Sequence, residues 1–513
     1  MNEPVEDVLA NYFAPNDVKI AAENSAIVEF FRGKNVFITG ATGFLGKLLI
    51  EKLLRACGGV DKIYILVRPK RGVDSSVRVE EIFNDMVFDR MKEIRPDYKS
   101  HIVGVEGDVS QINLGIDIQD TLKLIDNVDV IFHVAATTRF NEKIKLATAI
   151  NVRGTLEILK IARRCKHLKC LVHVSTAYSH CPKNEIGEEF YPPPIDPNYL
   201  LEVTEELSDE DLETMQLSLL GDWPNSYSFT KAVAEEIIKT NSDGIPTCIY
   251  RPAIVTATFK EPYKSWMDNY FGPTFIVAGV MSGQIRVSYG NMYKIADVVP
   301  ADYVINALIA SAHQTALSNS DNIQIYNYVS SPENPCTWGN FVTSSMENGQ
   351  QVPPKFMVWY NMVYLTDNAL VYRILTLLLH YLPAIMLDLL CITQKKLSLR
   401  QQYQKVDSFS NQNRYFSTQQ WKFHNDNTQN LWDKLNEVDK KAFPFSMSEF
   451  KWKDYLLTYP AGVREYILKE PWDNLDEAKK KRDRLCVVHK GLHVAIVIFL
   501  ITVICWLIVQ IFN

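Results

Sequence analysis

The most constraining feature of the chain is a glycine-spaced turn near its start, Thr39-Gly40-Ala41-Thr42-Gly43-Phe44-Leu45-Gly46. It follows a short apolar run, Val36 to Thr39, that predicts a strand, and it opens an amphipathic stretch, Lys47 to Arg55, that predicts a helix. Each glycine meets a separate demand. Gly40 permits a tight turn, Gly43 lets backbone approach a pyrophosphate, and Gly46 lets the helix pack closely on the strand. Free N–H groups at the helix start attract the same anion. Thr39, Thr42, Phe44 and Leu45 complete the turn and join the glycines as candidate cofactor-binding residues. A glycine pattern alone is weak, and it gains weight here from the strand and helix read independently on either side.

The pattern continues downstream. Further strands are expected at Ile63 to Val67, Ile102 to Glu106, Val128 to Val134, Cys170 to Ser175 and Thr247 to Tyr250, with helices at Ile144 to Cys165 and Ser226 to Thr240. Short β-branched runs alternating with amphipathic stretches are the mark of βαβ units. The fold class is therefore α/β, a Rossmann-type doubly wound parallel sheet. Residues 35–330 form the dinucleotide-binding domain in this reading, with a substrate lobe interleaved where the pattern breaks: a Pro-rich turn at Tyr191 to Pro194, an acidic segment ending near Gly221, and an aromatic-rich stretch from Pro252 to Pro300. Residues 1–34 are a leader, residues 353–472 a helical C-terminal domain, and residues 473–491 a basic juxtamembrane linker.

Residues 492–512 read LHVAIVIFLITVICWLIVQIF, with no formally charged residue, which is long enough to cross a bilayer. Lys479, Lys480, Lys481, Arg482 and Arg484 lie upstream, so the positive-inside rule puts the body in the cytosol and makes the tail a transmembrane anchor. The competing reading is a buried core helix, which would normally carry a polar stripe. Residues 374–387 form a second uncharged run, short for a span and interrupted by Pro383, expected to be a buried helix or a membrane-dipping hairpin. Met1 to Asn35 holds acids and no apolar core segment, unlike a secretory signal. A formal charge of −6 gives no footprint for nucleic acid, and nine scattered cysteines without a CxxC pair point to reduced thiols rather than a disulfide framework or a metal site.

An acid after the second strand would bind a ribose 2′-hydroxyl and repel a 2′-phosphate. This chain instead reads Val67-Arg68-Pro69-Lys70-Arg71, which favours NADPH with Arg68 as the 2′-phosphate partner. Asp108, followed by Val109, is placed to accept from the adenine amino group, and the small Ala135 and Ala136 leave room for the nicotinamide half. Tyr227 and Lys231 stand four apart on a predicted helix and share a face. There the ammonium would hold the nicotinamide ribose and lower the phenol pKa, so that the phenol donates to an oxygen gaining charge. A hydroxyl pair, Ser175-Thr176, ends the fifth strand and faces the same crevice, and Asn151 completes the set.

Together these motifs resemble the extended short-chain dehydrogenases and, within them, the fatty acyl-CoA reductase family. The resemblance rests on TGATGFLG (Thr39 to Gly46), IFHVAATTRFNE (Ile131 to Glu142), HVSTAY (His173 to Tyr178), YPPP, YSFTKAVAE (Tyr227 to Glu235) and YRPAIV (Tyr250 to Val255), and it covers about Asn35 to Trp472. It implies reduction of long-chain acyl-CoA to a fatty alcohol through an aldehyde, with Thr176 rather than Ser175 assisting the tyrosine and Pro252 lining the cofactor site. Relatives commonly carry Ser where this chain has Ala253, and sometimes a basic residue near Ser282, departures that bear on chain length and CoA contacts. The residues by themselves establish carbonyl reduction; a sterol or nucleotide-sugar dehydrogenase and a non-catalytic acyl-CoA binder stay as alternatives. The expected partners are long-chain acyl-CoA and a lipid bilayer. The endoplasmic reticulum is the expected address, with the peroxisome as alternative, and homo-oligomerisation is left open.

Overall fold

The computed structural model describes residues 5–14, 24–68, 75–318, 322–390 and 398–512. Seven parallel strands form the central sheet: β1 (Asn35–Thr39), β2 (Lys62–Val67), β3 (Ile102–Glu106), β4 (Val130–His133), β5 (Cys170–Val174), β6 (Thr247–Pro252) and β7 (Gln324–Tyr328), in the order β7-β6-β5-β4-β1-β2-β3. Their near-continuous apolar runs follow from burial on both faces, each face carrying its own layer of helices and its own core. The chain winds outward in both directions from β1 and β4. The crevice above their carboxyl ends is therefore where a ligand meets loops from both halves.

β7 escapes the sequence pattern because Gln324 and Asn327 interrupt its apolar residues, yet it pairs with β6 from Gln324↔Cys248 to Tyr328↔Pro252. The helix expected from Ile144 to Cys165 is divided. Ile144–Thr148 and Gly154–Arg164 are α-helical, and a wider π-type turn, Ala149–Arg153, separates them. Such a turn adds a residue and re-aims one side chain, and here the side chain concerned is Asn151. The Ser179–Asn225 stretch contains two helices, Pro197–Glu206 and Asp209–Leu220, each started by a side-chain cap, Asp196 and Ser208.

The N-terminal segment is built into the body. Ile27 and Phe31 of the Ala26–Phe31 helix are fully buried, and Ser25, which caps that helix, donates to Asp439 at 2.5 Å. Tyr12 donates to Glu465 at 2.8 Å, so the start of the chain is fastened to its C-terminal region. That region in turn reaches over the sheet. At the end of the Leu399–Thr418 helix, Tyr415 donates to the Cys181 carbonyl at 3.0 Å and Phe416 packs 5.3 Å from Tyr178, while Lys422–Phe423 pairs with Glu185–Ile186.

Among the described residues, two helices are long and apolar enough to cross a membrane, Ala369–Met386 and Trp472–Trp506. None of the second helix's apolar window is buried, which separates it from a core helix. From Leu475 this second helix is the continuous Leu475–Phe512 helix, with the basic residues on its first turns.

Candidate active site

Six of the strands, β1 to β6, deliver the site from their carboxyl ends. At β1, Gly40 has φ +77° and a Cβ there would stand 2.7 Å from the Ala135 nitrogen, while a Cβ on Gly46 would stand 2.1 Å from the Gly40 carbonyl oxygen. Only glycine fits either position. Gly43 is the N-cap of the Phe44–Ala56 helix and contributes no side chain, so the first N–H groups face the exposed Thr42-Gly43 edge. A cradle that a Cβ would fill, at the start of a 13-residue helix, fits a dinucleotide pyrophosphate. Phe44 stacks on Trp266 at 5.4 Å, and Leu45 is half-buried behind it.

Thr39 is locked from below. Its hydroxyl accepts from the Ala135 N–H at 3.2 Å and donates to His133 Nδ1 at 2.8 Å; His133 Nε2 donates to Thr155 Oγ1 at 3.1 Å, whose own proton goes to the Asn151 carbonyl at 2.7 Å. This direction of donation makes His133 a neutral Nε2–H tautomer. Burial agrees, pushing its pKa down to about 3, with the Lys231 charge adding to the effect. Asn151, 1 % exposed, uses both ends of its amide: Oδ1 accepts from the Thr137 N–H at 3.0 Å, and Nδ2 donates to Thr137 O and to Thr230 Oγ1 at 3.2 and 2.9 Å. It braces the loop after Ala135 and Ala136 against the Ser226–Asn241 helix.

That helix carries Tyr227, Lys231 and Glu235 one turn apart on a single face. Asn225 sets its start by capping the Ser228 N–H at 2.8 Å. Burial pushes the pKa of the Tyr227 phenol up to about 12, and the neighbouring Thr176 hydroxyl holds it from going higher. Phe140 lies parallel to the tyrosine ring at 6.2 Å and Phe416 lies 5.3 Å beyond Phe140. Lys231 donates to the Val174 carbonyl at 2.6 Å, and burial lowers its pKa to about 8 against the opposing pull of Glu235. The electrostatic lowering of the phenol expected from Lys231 is thus not realised in this state, because the ammonium is bound to the end of β5 and burial dominates the phenol.

The hydroxyl pair divides. Thr176 reaches Tyr227 and donates to the Pro252 carbonyl at 3.4 Å, at the end of β6. Ser175 turns the other way, donating to Glu235 at 2.5 Å, which places its hydroxyl in the support beneath the site. The Glu235 carboxylate also accepts from Ser179 at 3.0 Å, from His180 at 3.1 Å, and from Arg251 Nε and Nη2 at 2.9 and 2.6 Å. Burial alone would raise its pKa, but the Arg251 guanidinium and His180 hold the carboxyl well below the usual range. Sequence reasoning missed this cluster, although Glu235, one turn after Lys231, was the available signal.

Toward the adenine end, Arg68 Nε pairs with Asp108 at 2.9 Å. Asp108 also accepts from the Ser110 N–H and hydroxyl at 2.9 and 2.8 Å. Val109 is buried under Gly154. Arg78, which the sequence reading did not single out, donates to the Arg68 carbonyl and brings a second guanidinium to this edge. Lys70 and Arg71 lie outside the described residues.

Breaking a buried ion pair by neutralising one partner costs about 3–5 kcal/mol, and a hydrogen bond to a charged group about 1.5–3 kcal/mol. Glu235→Gln is therefore expected to lower the chemical-denaturation midpoint more than Ser175→Ala does, with Ser175→Ala clearly below wild type. Equal midpoints for Ser175→Ala and wild type would show that this bond contributes nothing.

The comparisons with known proteins agree with this geometry. Two family models, both described as male sterility protein, match residues 38–308, with an NAD-binding model, and 379–470. The chain is 39% identical over 475 residues to fatty acyl-CoA reductase wat of Drosophila melanogaster, covering 92% of this chain and 91% of that protein. It is 34% identical over 478 residues to fatty acyl-CoA reductase 1 of Homo sapiens, covering 93% and 92%. Among solved structures, the terminal R domain from the myxalamid PKS-NRPS biosynthetic pathway is similar in fold, with TM-score 0.55 and 20% identity over 91% of this chain and 99% of that one. With relatives at this identity matched along nearly the whole chain, and an NAD-binding family model matched to more than half of it, the protein belongs to the fatty acyl-CoA reductase family.

Proposed function

We propose that the protein reduces long-chain fatty acyl-CoA to fatty alcohol, using NADPH, at Tyr227, Thr176 and Lys231. The observation that carries this reading is the placement of Tyr227 and Lys231 one turn apart on one helix face, with Thr176 at the carboxyl end of β5 close enough to act on the phenol. Bound NADPH supplies one hydride per reduction, so thioester to alcohol with release of CoA consumes two. The Gly40–Gly43 turn and the helix start after it would hold the pyrophosphate, and Arg68 would exchange Asp108 for the 2′-phosphate, a guanidinium being suited to phosphate recognition.

Tyr227 keeps its proton up to about 12, so at neutral pH it is a hydrogen-bond donor. With Thr176 it stabilises the oxygen that gains charge as the thioester carbonyl becomes tetrahedral. Collapse of the hemithioacetal expels CoA and leaves an aldehyde, which the same phenol protonates in the second reduction. Lys231 acts as a cation toward the ribose hydroxyls. Phe140 and Phe416, apolar beside the phenol, exclude water and suit an acyl chain. The tail is proposed to cross the endoplasmic reticulum membrane with the body in the cytosol, supported by the basic residues Lys479 to Arg484 before the apolar run.

Membranes bearing the protein should form alcohol from long-chain acyl-CoA and NADPH, and Tyr227→Phe should reduce the rate by about 10²–10⁴-fold. No alcohol from the wild type at any chain length would overturn the proposal. Arg68→Ala should cut the preference for NADPH over NADH by about tenfold, ~1.4 kcal/mol of binding, read as the ratio of the two cofactors' kcat/KM.

The pH dependence follows from Lys231. Its folded pKa lies below that of a free lysine, so the ammonium is present below about 8 and lost as the pH rises through that value. Activity should hold from pH 6 to 7 and fall about tenfold per unit above 8. A flat kcat/KM profile to pH 10 would remove Lys231's charge from the mechanism.

A further inference from the structure

The Ala369–Met386 segment is amphipathic with its faces inverted. Its inward row, Tyr372, Thr376, His380 and Ala384, repeats every fourth residue and is buried. It also carries the polar anchors: Tyr372 donates to Asp407 at 2.9 Å, and His380 Nε2 accepts from the backbone N–H groups of Arg286 and Val287 at 3.0 and 3.3 Å. The outward face is the apolar one. Leu370, Ile374, Leu377, Leu378, Ile385 and Met386 are all exposed, Leu370 and Leu377 by 67% and 57%. Water-facing helices of soluble proteins show the opposite arrangement, and a contiguous exposed aliphatic face of this length marks a surface that something apolar covers.

We propose that this face beds into one leaflet of a lipid bilayer, the helix lying in the membrane plane as a second attachment beside the tail. Three observations favour lipid over a protein partner. Arg373 aside, the exposed residues of the segment are apolar and none is aromatic, whereas protein interfaces are enriched in aromatic residues and arginine at their centre. The chain already carries a helix long and apolar enough to cross a bilayer, with none of its apolar window buried, so the body is tethered within reach of a leaflet.

The third observation is continuity. The segment leading into the helix starts at the base of the tail, where the rings of Trp359 and Tyr360 lie 6.1 and 5.5 Å from that of His489 and Lys481 donates to the Lys355 carbonyl at 3.0 Å. It then runs beside Ser282 to Tyr289, pairing through Tyr364–Thr366, into the Asn368 cap. Trp359 to Ala369 spans at most about 35 Å fully extended.

The same anchors exclude a transmembrane crossing. A helix tied to the body at two points about two turns apart, by Tyr372 and by His380, cannot leave that body to traverse hydrocarbon. It can immerse only its outer face, which is the geometry of an interfacial helix.

The test uses the full chain in phospholipid nanodiscs containing a lipid with a photoactivatable diazirine in its acyl chain, without substrate, and maps adducts by mass spectrometry. Residues 492–512 serve as the internal positive, so a failed reductase assignment does not affect the result. Adducts on Leu370, Ile374, Leu377, Leu378, Ile385 or Met386, with none on Tyr372, Thr376 or His380, are expected. The double variant Leu377→Glu/Leu378→Glu should lose at least five-sixths of the adducts in this segment while dinucleotide binding and tail labelling stay at wild-type levels. No adducts in the segment, or adducts on both faces, would overturn the proposal. So would a Leu377→Cys chain that forms disulfide-linked pairs and gains no lipid label, because a second copy would then be the occupant.

Discussion

Everything at the catalytic edge depends on one buried ion pair, the Glu235 carboxylate against the Arg251 guanidinium. Both groups are almost wholly withdrawn from water, and a desolvated charge persists only where a partner and hydrogen bonds replace hydration. The pair ties the Ser226–Asn241 helix to β6, and Ser175 adds the end of β5 to the same carboxylate. With those three elements fixed, Thr176 meets Tyr227 and Lys231 meets the Val174 carbonyl. The chemistry of the site is therefore only as well placed as an electrostatic contact that touches no substrate.

A second brace works from the opposite side. Thr39, His133, Thr155 and Asn151 form one chain of hydrogen bonds whose donor directions are mutually consistent, joining the glycine turn on β1 to the loop after β4 and, through Thr230, to the tyrosine helix. A neutral histidine suits this position because a charged one would lie buried beside Lys231. The two braces leave Phe140 between the phenol and Phe416, so the C-terminal region forms the apolar side of a site whose polar side is the sheet edge.

Much of this was legible in the residues because the signals are local. A glycine turn between strand and helix, Tyr227 and Lys231 one turn apart, and a strand ending in two hydroxyls each state their geometry within a few residues. What could not be read depends on contacts distant in the chain. Ser175 and Thr176 are equivalent in sequence, and only the packing of Glu235 between Arg251 and His180 turns one toward support and the other toward the phenol. β7 was hidden because a strand interrupted by Gln324 and Asn327 is recognisable only once β6 offers it an edge. The role of Asn151 came from a π-type turn, which leaves no mark in apolar periodicity.

The sequence by itself determined the doubly wound sheet, the glycine turn, the shared helix face of Tyr227 and Lys231, and an apolar tail, since each follows from backbone sterics or side-chain spacing that no distant contact can change. Tertiary structure alone decided which hydroxyl serves the phenol, that burial rather than Lys231 governs the phenol's proton, that the first residues fasten the C-terminal region, and which face of the Ala369–Met386 helix looks outward. These are questions of what surrounds a group. Desolvation and partner choice are set by neighbours that the chain brings together from far apart.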